Sequence, residues 1–164
     1  MLVGVRLGLK AQADSTEVLN IPARDVFISM PDSLLPTLNR NNRLDLVDYI
    51  ESGLKAEVKN RFEGQTELLH LTSDSLLLQV SKGLTVEMLL LPLEETVIDN
   101  CKKVVCMVER FGTSSDSQEC RVSLYSLKWR QVDDVPLTHD AQQKLEQLKL
   151  STNLKWKEII INKN

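Results

Sequence analysis

Three cysteines, Cys101, Cys106 and Cys120, and two histidines, His70 and His139, are the side chains best suited to chemistry. A metal site needs several ligands at short spacing. No CxxC occurs, and both histidines are far from the cysteines in sequence, so no metal site is expected. A nucleophilic cysteine needs a neighbouring base in an electropositive setting. Cys106 and Cys120 lie instead in alternating apolar segments, where cysteine acts as a small buried group. Two readings stay open for them. If their hairpin closes about Thr113, positions 106 and 120 face each other on the inner face. Their Cα atoms would then be ~4.5–5.5 Å apart, within disulfide reach in an oxidising compartment. Otherwise they are two free core thiols.

His70 alternates with Leu69 and Leu71 and is expected on the outer sheet surface. His139 stands in a turn before a helix, as a capping or solvated residue. No G-x-S-x-G elbow is present. A hydrolase would need His70 or His139 to meet a carboxylate inside a deep pocket on a curved sheet. Six glycines with no G-x-G-x-x-G and no P-loop give no nucleotide cradle, and no cofactor is expected. The carboxylates Glu57, Glu63, Glu94 and Glu95 fall on wet surfaces, without the aromatic cleft that sugar chemistry uses. Trp129 and Trp156 admit two roles, core or edge sealing and a ligand platform.

These residues ride on two kinds of element. Asp25 can cap a short helix from Val26 to Met30, which Pro31 must end. Pro31 to Pro36 reads as a tight helical turn between two prolines. Asn41-Asn42 is an N-cap signal, followed by Leu44, Val47, Ile50 and Leu54 at helical spacing. Arg43, Asp45, Asp48 and Glu51 take the wet face of that helix. Gly53 could end it, but Leu54, Val58 and Phe62 keep a spacing of four, so one bent helix to about Asn60 is expected.

From Thr66 the period becomes two. Strands are expected at Glu67–Thr72, around Leu76–Val80, at Leu84–Leu90, Lys103–Phe111 and Gln118–Leu127. A plain two-residue loop at Lys82-Gly83 would set inward Val80 against outward Thr85. A three-residue loop, or a bulge with Gly83 at positive φ, restores agreement. A helix from Asp140 to Leu150 and a last strand from Leu154 to Ile161 complete the pass. The order predicts an α+β domain, with N-terminal helices packed on a mainly antiparallel sheet of five or six strands.

The 164 residues amount to one domain, expected over 25–164. Of these, 42% are hydrophobic and only 4% aromatic, so the core must be aliphatic. Twenty basic and 23 acidic residues give a net charge of −3, well mixed, which speaks against nucleic-acid binding. No apolar stretch approaches the ~20 residues of a membrane span. Residues 1–24 are expected outside the fold, as a signal-peptide remnant or a frayed arm. Residues 2–9 are apolar around Arg6, and Ala11-Gln12-Ala13 has the small-x-small form of a cleavage site.

Met30-Pro31-Asp32-Ser33-Leu34-Leu35-Pro36, Asn41-Asn42-Arg43, Lys55 to Phe62 and the later Lys128-Trp129 after Tyr125-Ser126 form a recognisable set. Over residues 25–130 the chain resembles an uncharacterised, typically exported domain family of Bacteroidales-type bacteria. The resemblance implies a periplasmic or cell-envelope location and brings no catalytic residues. With no metal set, nucleotide loop or convincing nucleophile, the expected function is non-enzymatic binding of a protein partner or an apolar ligand. An apolar second sheet face would be the interaction surface if uncovered. The hydrolase stays the alternative, and a homodimer pairing through residues 155–161 is a third possibility.

Overall fold

The computed structural model describes residues 18–95, 97–113 and 119–150. Two short helices lead. Helix α1 spans Ala23–Ile28 behind an extended Pro22, and α2 spans Arg40–Glu51. A single antiparallel sheet follows, in which β1 (Glu57–Lys59), β2 (Gln65–Leu71), β3 (Ser75–Ser81), β4 (Leu84–Pro92), β5 (Lys103–Phe111) and β6 (Glu119–Tyr125) pair in chain order. Helix α3, His139–Leu150, closes the described chain. The expected α+β architecture is the one observed.

The sheet carries a core on each face. On one face α1 and α2 lay Val26, Phe27, Leu46 and Val47 against Leu68, Leu76, Leu78, Met88, Val105 and Met107. On the other, α3 lays Ala141 and Leu145 against Leu89, Leu91, Val104, Cys106 and Val108. Burial on both faces explains the continuous apolar runs in β4 and β5, since alternation needs one wet face. Burying a Leu or Val side chain contributes about 1.5–3 kcal/mol.

Several elements depart from expectation. Helix α1 starts before residue 25: Ala23 is fully buried, and Leu19 N–H donates to Asn100 O at 2.8 Å. The cap of α2 is Asn39, not Asn41 or Asn42. Its side chain accepts from Asn42 N–H (2.9 Å) while the Asn42 side chain accepts from Asn39 N–H (3.2 Å), a reciprocal capping box. Helix α2 stops at Ser52, and Gly53 follows at φ 71°, the left-handed conformation that glycine adopts at helix ends. The segment expected to continue it is strand β1, the first of the six strands of the sheet.

The β3–β4 hairpin carries the expected irregularity. Leu78 faces Val86 and Gln79 faces Thr85, but Ser81 faces Leu84, so Val80 is the extra residue of a bulge. Inward residues thereby meet inward residues. Gly83 is not in the left-handed region; the bulge sits three residues earlier, at Val80. A second bulge at Leu69 lets Leu68 face Leu78 and His70 face Leu77. The expected strand 154–161 and residues 1–13 lie outside the described residues.

Candidate functional site

The chemistry-bearing side chains do not converge. Cys106 faces Leu124, and Cys120 faces Arg110. Both cysteines lie on one sheet face, but four residues along β6 separate the position opposite Cys106 from Cys120, about 13 Å. That exceeds disulfide reach, and Cys101, Cys106 and Cys120 are all free thiols. The hairpin does not close about Thr113, because Phe111 faces Glu119. Burial, and then the Glu87 carboxylate, push the Cys106 thiol up to about 12. Burial, then Asp99, raise the Cys101 thiol as well. Neither is a thiolate nucleophile near neutrality. Cys120 is exposed.

His70 is exposed on β2. His139 is exposed at the start of α3, with Nε2 3.1 Å from Gln143 Nε2. Among the described residues neither histidine forms an ion pair with a carboxylate, and no three of His, Cys, Asp and Glu cluster as metal ligands. No described helix is long and apolar enough to cross a membrane.

Trp129 is no platform. It is 8% exposed, and its indole Nε1 donates to Val26 O at 3.0 Å and to Ser29 Oγ at 3.3 Å. Its ring stands 5.6 Å from Tyr125, tilted by 50°. Trp129 holds φ 64° because it closes a three-residue hairpin loop. Trp129 N–H donates to Ser126 O (2.9 Å), and Ser126 N–H donates to Arg130 O (2.8 Å). This is a type I turn followed by a left-handed residue. Asn60 to Gly64 repeat that geometry, with Glu63 at φ 64°. Trp156 lies outside the described residues.

Arg43 is the other misread residue. Expected in water, it is 1% exposed. Its guanidinium donates to Leu38 O (2.9 Å) and Met30 O (2.5 Å) and pairs with Asp32 at 2.9 Å. The proline-bracketed turn from Pro31 to Pro36 is thus wrapped around a buried cation. A helix leaves its last carbonyls without partners inside the helix. Trp129 and Arg43 satisfy Val26 O and Met30 O, at and just past the end of α1.

Another polar staple joins two loops. Asp99 and Asn100, at φ 53° and 62°, form a two-residue turn with both central residues left-handed, closed by Ile98 and Cys101. Asp99 reaches across to Arg130. The Ser126 hydroxyl, with Arg130 behind it and burial opposing, holds the Asp99 carboxyl below the usual carboxylate range.

The second sheet face, an interaction surface if uncovered, is covered over its apolar half by helix α3. The remainder is polar: Glu57, Gln65, Glu67, Gln79, Ser81 and Lys82 line an open depression of about 410 Å³. Another, of about 370 Å³, lies between α1, α2 and the β2–β3 turn, spanned by Arg24 Nη1 to Glu51 Oε2 at 2.6 Å. Both open to solvent, and neither holds a histidine or cysteine.

The exposed apolar residues gather elsewhere. Phe62 is 69% exposed at the tip of the β1–β2 hairpin, and Leu54 is 61% exposed just before β1. Tyr49, 38% exposed on α2, accepts a hydrogen bond from Leu54 N–H on its carbonyl oxygen at 2.9 Å. Strand β1 lies at the edge of the sheet, and among the described residues no strand pairs with its outer side. Sequence reasoning placed Phe62 in a helix stripe and missed it. The signal available was Asn60 to Gly64, a turn-forming run ending in glycine.

A domain of an uncharacterised protein from Porphyromonas gingivalis W83 shares the fold, with a TM-score of 0.55 and 20% sequence identity. The match covers 71% of this chain and 56% of that one, so this chain spans little more than half its length. No curated protein matches the chain. The family model described as "Protein of unknown function (DUF3256)" matches residues 16–159, and the chain belongs to that family.

Proposed function

We propose that this chain is a non-enzymatic interaction domain of the cell envelope that docks a protein through the free edge of β1. The observation that carries this is Phe62, a phenylalanine 69% exposed on a hairpin tip, with Leu54 at 61% on the other side of the same short strand. Aromatic residues held in water on a rigid turn are characteristic anchors of protein interfaces. The apolar-ligand reading has less support: α3 occupies the apolar half of the second face, and the depressions are open and polar-rimmed. The envelope location rests on the apolar residues 2–9 before Ala11-Gln12-Ala13 and on the family likeness.

The test is a photo-crosslinking residue at position 62 of the full-length protein in its own cells. A discrete protein adduct in the envelope fraction is expected. Absence of any adduct, with the same residue at solvent-exposed Lys128 as the control, would count against the reading.

A further inference from the structure

We infer that the partner at this edge is a second copy of the chain, paired antiparallel with β1 about a two-fold axis at Val58. The inference rests on the interaction reading above and names its partner. Three independent properties of the segment agree on one register.

The first is backbone direction. Ala56 O accepts from Leu68 N–H at 2.8 Å, and Asn60 N–H donates to Gly64 O at 2.8 Å. Alternate residues of an antiparallel strand turn their backbone groups to opposite sides. Ala56, Val58 and Asn60 therefore bond inward to β2, and Glu57 and Lys59 present their groups at the free edge. With the axis at Val58, Lys59 N–H meets Glu57 C=O of the second copy, and the bond repeats by symmetry. The Glu57 amide is already turned to Lys55 O at 3.1 Å, so the Lys59 amides carry the seam.

The second property is charge. In that register Glu57 stands opposite Lys59 of the second copy, twice. An axis at Glu57 or at Lys59 would set like charges against each other, which destabilises a strand pair. A three-residue strand that carries Lys59 and is flanked by Lys55 and Arg61 deters foreign strands in the usual way. The same charges admit an antiparallel copy.

The third property is apolar matching. Leu54 lies four residues before Val58 and Phe62 four after it, both beyond the strand ends, so the axis sets the Leu54 end of one copy beside the Phe62 end of the other. They are the two most exposed large apolar residues described, at 61% and 69%. Lys55 and Arg61 also approach each other in this register. Both lie past the strand ends: Lys55 pairs with Glu57 at 2.5 Å, and Arg61 N–H donates to Thr37 O at 3.0 Å. A two-fold dimer of this kind is the commonest homo-oligomer.

Sedimentation equilibrium of the full chain and three variants tests the inference. The wild type should dimerise. Glu57→Lys and Lys59→Glu each create two like-charge pairs and should weaken dimerisation by about tenfold or more. The double variant Glu57→Lys/Lys59→Glu swaps the charges and should recover the dimer. All four should keep the same circular dichroism spectrum, because these side chains lie on the wet side of a short edge strand. A double variant no better than the singles would overturn the inference. A monomeric wild type whose residue 62 still crosslinks a different protein overturns the second copy alone. A monomer with no adduct overturns the interaction reading with it.

Discussion

The indole nitrogen of Trp129 donates to the carbonyl of Val26, 103 residues earlier in the chain, at 3.0 Å. The bond ties the hairpin after β6 to the end of α1 and so locks the first helix onto the sheet. Replacing Trp129 with Ala should cost about 3–5 kcal/mol, the usual range for removing a buried tryptophan. Trp129→Phe should cost only about 1 kcal/mol, because Val26 O keeps its bond from Ser29 Oγ at 2.9 Å. Urea unfolding of the two variants separates packing from hydrogen bonding.

Arg43 holds the other end of the same corner. Its removal would leave Met30 O and Leu38 O buried without donors and Asp32 without its ion pair. Arg43→Met should destabilise by about 3 kcal/mol or more. Arg43→Lys should recover little, since one ammonium cannot reach both carbonyls as a planar guanidinium does. Exchange protection of amides in the Pro31–Pro36 turn would drop first in both.

The three thiols should react at different rates. Cys120 is exposed and should be alkylated at once, while Cys101 and Cys106 are buried and wait for unfolding. The Cys106 thiol is raised to about 12, so its neutral form favours the fold below about pH 8.5, the unfolded value. That contribution is lost as pH rises from about 8.5 towards about 12. Cys106→Ala should flatten the alkaline limb of the stability curve, measured by denaturation at stepped pH.

Acid should act through Asp99. Its carboxyl is held low by Ser126 and Arg130, so the stability it contributes is complete above about pH 3.9, the unfolded value. It is lost as pH falls through the folded value. Asp99→Asn keeps a residue that tolerates left-handed φ and should make the acid limb shallower. Asp74 is lowered in the same direction, first by its bond to Lys103, so part of the limb should remain.

Much of this architecture was legible. The strand pattern of β3, β4 and β5 and the need for a bulge near Lys82-Gly83 follow from which residues must face inward together. Strand β1 was not legible, for a physical reason. Leu54, Val58 and Phe62 are four apart, and residues four apart share a face in a helix and in a strand alike. Three paired residues are too few to separate the two periods. The β5–β6 register failed because residues 112–118 are nearly all turn formers, so nothing in the sequence marks the centre of the loop. Arg43 was misplaced because charge normally means water; only the carbonyls of Met30 and Leu38, invisible in a side-chain pattern, make its burial tolerable. Phe62 was hidden by the same helix reading that hid β1. The motifs that carry the family likeness were legible as a set. In the fold Arg43 joins Met30 and Asp32 directly, while Trp129 bonds the end of the helix that leads into them.

The claim that this is an envelope interaction domain meets its most direct test in native mass spectrometry of the protein taken from its own cells. The account predicts that it is recovered from the envelope fraction as a dimer, two copies of the chain joined at the Val58 seam. A bare single chain recovered from the cytosol would contradict it.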